Sequence, residues 1–180
     1  MRVVYLLLIL MVLAAGCLKG GGGMDEKKTL EVGSVFHNGG YIPEKFTCDG
    51  EDINPPIFVG NIGKEVKSLA IIVDDPDAPA GTFTHWIAWN IPPRGEIPEA
   101  IPKEGIVESP LKIVQGVNDF GKVGYGGPCP PRGVHHYHFK VYALDTTLDL
   151  RPGATRKELE RAMEGHVIQW GELVGLYERH

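Results

Sequence analysis

The sequence predicts a mostly-β sandwich with one or two peripheral helices. Three observations carry this. Apolar residues recur with period two along several short segments, as they do when strand side chains alternate between faces. Glycine (24 residues) and proline (14 residues) punctuate the spaces between those segments, which favours many turns over long helices. A single stretch carries the helical apolar spacing, and it comes late in the chain. With 180 residues, 43% of them hydrophobic, the chain has the size of one domain with a full core.

The N-terminus has a different composition from the rest. Arg2 precedes an apolar run from Val3 to Ala15, too short for a membrane span of roughly 20 residues and suited to the apolar region of an export signal. Ala14-Ala15-Gly16-Cys17 resembles the lipobox of prokaryotic lipoproteins, with Cys17 as the lipidated residue, although Ala14 stands where Leu is commonest. Residues 1–16 are then a signal peptide. Residues 17–29, with Gly20-Gly21-Gly22-Gly23, are a flexible tether, and 30–180 are the folded domain. An uncleaved anchor or an ordinary secretory signal are the alternatives. Each places the domain outside the cytoplasm, either lipid-anchored to the cell membrane or secreted.

Within the domain, strands are expected at Leu30–Phe36, Ser68–Asp74, Phe83–Ile91, Val107–Gln115, His135–Leu144 and Val167–Tyr177. The helix begins at Thr155, which forms a capping box with Glu158. Leu159, Ala162 and Met163 make its apolar stripe, and Gly165 ends it.

Two strands carry histidine on an apolar face. On His135–Leu144 that face reads His135, Tyr137, Phe139, Val141, Ala143. On Phe83–Ile91 it reads Phe83, His85, Ile87, Trp89, Ile91. A polar group at the leading end of a buried face sits where a pocket opens. Two neighbouring loops suit a pocket. Asp74-Asp75-Pro76-Asp77-Ala78-Pro79 supplies carboxylates that can orient a histidine and keep it cationic. Gly124-Tyr125-Gly126-Gly127-Pro128-Cys129 supplies glycines whose amides can approach an anion. His136 and His138 fall on the opposite, outer face, where a solvated surface is expected. Cys48 and Cys129 read either as a disulfide, as an oxidising compartment permits, or as two buried thiols.

Composition and motifs exclude several functions. A net charge of −5 with no long basic run disfavours nucleic acid. Ser34, Ser68 and Ser109 lack a nucleophile-elbow context, and Cys129 beside His135 suits a structural role better than a nucleophilic one. His85 and His135 could hold zinc for hydrolysis with Asp75, but they lack the short spacing of a typical metal motif. The expectation is a binding protein, not an enzyme, with no cofactor and no metal.

Asp75-Pro76-Asp77-Ala78-Pro79, His85-Trp86 with Asn90, and Gly127-Pro128-Cys129-Pro130-Pro131 followed by Gly133, His135 and Tyr137 resemble the phosphatidylethanolamine-binding protein family. The resemblance is strongest to its short bacterial and archaeal, Raf-kinase-inhibitor-like branch. Phe46-Thr47-Cys48-Asp49-Gly50, Pro55-Pro56 and Leu173-Val174-Gly175-Leu176-Tyr177 extend it, so it runs from about Val32 to Arg179. The resemblance implies a Greek-key β-sandwich and a pocket for phosphate, phosphoryl-ethanolamine or similar small anions. Carried over by position, the pocket is Asp75, His85, Gly127, His135 and Tyr137, with Tyr177 near its mouth. In this reading both histidines donate ring N–H groups, Tyr137 donates its hydroxyl and the Gly127–Cys129 amides add donors. Asp75 orients a histidine or receives an ammonium group. Many relatives have Arg after the pocket histidine where this chain has His136. The resemblance also raises inhibition of a serine protease or kinase-like target as an alternative function. Oligomeric state is left open.

Overall fold

The computed structural model describes residues 29–179. The expected export signal, Cys17 and most of the expected tether lie outside them.

The described residues form two sheets and one α-helix. In order, the strands are β1 (Glu31–Gly33), β2 (Gly40–Tyr41), β3 (Ile57–Gly60), β4 (Ser68–Asp75), β5 (Phe83–Ile91), β6 (Glu96–Ile97), β7 (Ile106–Val107), β8 (Ile113–Gln115), β9 (His135–Leu144) and β10 (Val167–Tyr177). A 3-10 turn covers Glu44–Phe46, and the helix α1 covers Arg156–Met163. The small sheet has the order β1-β3-β6 and the large one β2-β10-β9-β4-β5-β8-β7. All pairs are antiparallel except β2 with β10.

Each face of the large sheet has its own core. One lies toward the small sheet and contains Ile57, Val59, Ile71, Val73, Trp86, Phe139 and Val141. The other lies under α1 and contains Ala70, Ile72, Ile87, Trp89, Leu144, Leu159 and Met163. The central strand β4 is buried on both faces, which is why its sequence is an unbroken apolar run. Asp74 on β4 is 1% exposed; it accepts hydrogen bonds from Lys140 at 2.9 Å and is ion-paired with Arg156 at 2.7 Å. That cluster ties the first turn of α1 to the sheet. The Thr155 and Glu158 side chains satisfy each other's backbone amides, and Gly165, at φ +80°, ends the turn beyond the helix.

The predicted strand Val107–Gln115 is two strands, β7 and β8. Pro110 has no amide for the ladder, and the chain turns back there so that β7 pairs with β8. Leu30–Phe36 shortens to β1. The short strands β2, β3 and β6 carry too few residues for a period-two pattern.

A second correction concerns β5. Simple alternation groups His85 with Ile87 and Trp89. The β4–β5 register shifts between Val73 and Asp74 and again between Leu69 and Ile71. Trp86 and Ala88 therefore face the core between the sheets, and Ile87 and Trp89 face α1. His85 stands in the first irregularity, and its ring joins Tyr137 on the side of Trp86. The extra residue reverses the alternation, which is how bulges re-aim side chains. Asn90 stands in the second irregularity at φ +55° and clasps Leu148 through both its amide and its carbonyl.

Candidate functional site

The antiparallel order β10-β9-β4-β5 brings the end of β4, the starts of β5 and β9 and the end of β10 to one edge of the large sheet. Asp75, His85, His135, Tyr137 and Tyr177 meet at that edge although up to 102 positions separate them (75 to 177).

His135 is 6% exposed, and its Nδ1 lies 2.7 Å from Asp75 Oδ2. The other Asp75 oxygen accepts the Asp77 amide at 2.8 Å. Both oxygens thus have a protein partner and Asp75 orients His135, while each oxygen keeps a lone pair for a further donor such as an ammonium group. His85 is 3% exposed, and its Nδ1 lies 2.7 Å from the Gly126 carbonyl. A carbonyl can only accept, so Nδ1 carries the proton. The Gly126 amide donates back to the His85 carbonyl at 2.9 Å. Burial, above all, pushes the His85 pKa below 6.5, against the pull of the Gly126 carbonyl, the Asp75 carboxylate, the Gly127 carbonyl and Asp119.

Tyr137 lies against both imidazoles, with ring centroids 5.2 Å from His85 and 6.4 Å from His135. Its hydroxyl is buried and finds no acceptor for its proton among the described residues, while the Cys129 amide lies toward its oxygen. Burial, then the Asp75 charge, raise its pKa strongly, the Cys129 amide opposing them, so the phenol stays protonated and a donor. A buried polar group without a partner costs stability, about 1–3 kcal/mol, and such groups in native folds call for a reason.

Two expectations are corrected by this geometry. The Gly127 amide is not available to a ligand, because it donates to Asp52 Oδ1 at 2.6 Å. Pro128 has no amide, which leaves that of Cys129, directed at Tyr137, from the expected set. Gly127 matters instead for close approach: a Cβ there would come within 2.8 Å of the Phe46 carbonyl and the Thr47 backbone. In addition, one His85 N–H is already given to the Gly126 carbonyl, and burial works against the second proton that a donating Nε2 would need.

Tyr177 pairs with His135 across β9 and β10, as a residue at the mouth would. Its hydroxyl donates to Asp49 at 2.9 Å, and Asp49 also takes Arg179 at 2.8 Å. Cys48 and Cys129 form a disulfide with Cα atoms 5.4 Å apart, so the thiol alternative does not hold. It joins the loop behind His85 to the 3-10 turn region, where the Cys48 amide also donates to the Pro128 carbonyl at 3.1 Å. On the outer face, His136 is bound to Asp77 and His138 to Glu172, each through Nδ1 within 2.8 Å. The His136 bond holds the Asp77 carboxyl below its ordinary pKa. No group of three or more His, Cys, Asp or Glu suited to a metal occurs among the described residues.

Several residues of the site escape a linear reading. Asp52, at φ +55°, holds Gly127 through one oxygen and Lys103 through the other at 2.6 Å. Phe120 is 44% exposed and stacks edge-on against His85 at 5.4 Å and Phe83 at 4.7 Å. The loop that carries it is held by Asp119, which accepts the Thr84 amide at 2.6 Å and donates its own amide to the Thr84 carbonyl. Their sequence signal is an Asn-Asp turn and an exposed aromatic, neither of which points to a pocket without the fold.

Comparison with known proteins agrees with the fold. The family model for phosphatidylethanolamine-binding proteins matches residues 32–178. A UPF0098 protein of Pyrococcus abyssi is 66% identical over 99% of both chains. Another, from Pyrococcus horikoshii, is 69% identical over 94% of this chain and 85% of its own. Among solved structures, a phosphatidylethanolamine-binding protein homologue from Chlamydia trachomatis superposes with a TM-score of 0.77 at 38% identity, over 84% of this chain and 99% of that one. YbcL of E. coli, a member of the mammalian family of that name, superposes at 0.76 with 30% identity over the same shares. The chain belongs to the phosphatidylethanolamine-binding protein family.

Proposed function

We propose that this protein binds a small phosphate-like anion at the edge where Asp75, His85, His135 and Tyr137 meet, and that it does so without catalysing a reaction. The observation that carries this reading is the buried Tyr137 hydroxyl, a donor with no acceptor, lying against two histidines whose Nδ1 atoms are already committed. His135 has its Nδ1 committed to Asp75 and offers Nε2 to the anion. Tyr137 donates its hydroxyl beside it. Hydrogen bonds with a charged partner contribute about 1.5–3 kcal/mol each, so a few of them suit affinities from about micromolar to millimolar. A nucleophile poised by a base is not part of the arrangement: the Cys129 sulfur is bonded to Cys48.

The test is calorimetric titration with inorganic phosphate and phosphoethanolamine. Wild type should release or absorb heat on binding, and His135→Ala should lose it, with affinity down about tenfold or more. Equal heats in the two proteins would remove His135 from the site.

We further propose that the domain works outside the cytoplasm, held at the membrane through a lipid on Cys17. The support is the sequence of residues 1–23, joined by a disulfide of the kind that persists in oxidising compartments.

A further inference from the structure

The helix α1 covers only part of the sheet face on which it lies. Under it, Ile72, Ile87 and Trp89 of β4 and β5 pack against Leu159 and Met163. The same face continues across Tyr142 of β9, at the margin of that core, onto β10 and β2. There Trp170 is 48% exposed and Tyr41 60% exposed. Alternation along β10 sends Trp170, Glu172, Val174 and Leu176 to this side, and Tyr41 stands beside Leu176 in the register of β2 with β10. The result is a stripe along one strand with an aromatic side chain at each end. Its charges come in pairs: Glu172 with His138 at 2.8 Å, Asp77 with His136 at 2.7 Å and Asp74 with Lys140 at 2.9 Å. A lone exposed aromatic needs no explanation, whereas a joined stripe marks a contact surface. Trp and Tyr, each with an apolar ring and a polar tip, are the side chains that settle where lipid meets water.

The chain enters the domain at this stripe. The Leu30 amide donates to the Trp170 carbonyl at 3.0 Å. Cys17 and Thr29 are 12 positions apart (17 to 29), a reach of at most about 40 Å. An anchor at Cys17 therefore keeps Trp170 close to the bilayer. Tethering over such a span raises the effective concentration of the two surfaces to about the millimolar range, so a weak contact stays occupied.

We infer that the stripe from Trp170 to Leu176, with Tyr41, is a membrane-contact face that rests in the headgroup layer of the membrane holding Cys17. This rests on the anchoring reading above. His135, Tyr137 and Tyr177 project from the opposite face of β9 and β10, so the contact does not cover them.

Tryptophan fluorescence tests this directly. The chain has three tryptophans, and Trp86 and Trp89 are 0% exposed, so Trp170 is the one that can meet lipid. Full-length protein is reconstituted into phosphatidylcholine vesicles, either plain or with bromine on the upper part of the acyl chains, and floated on a density gradient. The Trp170 signal is the emission of wild type less that of Trp170→Phe. It should fall by about half or more in brominated vesicles, since an interfacial side chain reaches about 5–10 Å into the boundary layer. The emission of Trp170→Phe should be the same in both vesicles. Protein that floats with equal Trp170 emission in the two vesicles overturns the inference and leaves the anchor standing. A Trp170 signal shielded from acrylamide yet unquenched by bromine would put a second copy or another segment of this chain on the face, and overturns it too. Protein that does not float overturns the anchoring reading and, with it, the inference.

Discussion

At the scale of single residues, Tyr137 departs from the rule that most buried polar groups obey. Trp86 Nε1 donates to Gln115, whose own amide donates to Pro102 and Glu104, and among the described residues only Trp89 Nε1 shares the exception. At Tyr137 the buried hydroxyl finds no acceptor for its proton. Deleting it should therefore stabilise the empty protein or leave it unchanged. We expect Tyr137→Phe to raise stability by up to about 1 kcal/mol in urea denaturation while weakening phosphate binding. Loss of stability in Tyr137→Phe would mean that the hydroxyl has a structural partner. His85 adds a pH dependence. Its folded pKa is lowered from 6.5, so the unfolded chain binds the proton more readily. Its contribution to stability is complete above pH 6.5 and is lost as pH falls through the folded value. Denaturation midpoints of wild type and His85→Gln should converge as pH drops from 8 to 5, with wild type losing more. His85 was legible in the sequence as a histidine near the start of a buried strand. The neighbours assigned to it were wrong, because a bulge cannot be seen in an alternating pattern: it inserts one residue and flips every face beyond it.

At the scale of elements, long strands and the capped helix could be read directly, since each spans enough residues for its period to repeat. β5, β9 and β10 match their predicted bounds, β4 extends one residue further, and Thr155 and Glu158 form their capping box. The short strands could not be read, because two to four residues carry no period and their pairing comes from distant partners. The loop from Gly124 to Gly133 is organised from outside itself. Asp52 holds its Gly127 amide, Cys48 is bonded to its Cys129, and Phe120 packs where a Cβ on Gly126 would come within 2.6 Å. The disulfide closes a span of 81 positions, for which restriction of the unfolded chain contributes about 2–5 kcal/mol. Reduction with dithiothreitol should lower the denaturation midpoint by that order. It should also weaken phosphate binding, because Cys129 and Pro128 lie next to the residues that hold His85 and Tyr137. Unchanged affinity in the reduced protein would show that the loop keeps its shape without the bond.

At the scale of the whole molecule, the remaining prediction concerns location. If residues 1–17 act as a lipoprotein signal, the protein should partition with detergent after phase separation, and Cys17→Ala should move it to the aqueous phase. Partition of both forms into water would end the tether proposal. The sequence alone determined the β class, the long strands, the helix and its cap, and the family, because periodicity, capping and ordered motifs are local and survive without coordinates. It also picked out His85, His135, Tyr137 and Asp75, which share a strand end or a strand-end loop. Tertiary structure decided what those residues do. Whether Asp75 faces a ligand or a histidine, whether the Gly127 amide is free, and which nitrogen of His85 carries the proton are all set by partners 41 to 75 positions away. Hydrogen-bond capacity is finite, and each commitment to a distant partner removes a donor or acceptor from the site. The His, Asp and Tyr cluster is thus left with fewer free donors than its residue types suggest.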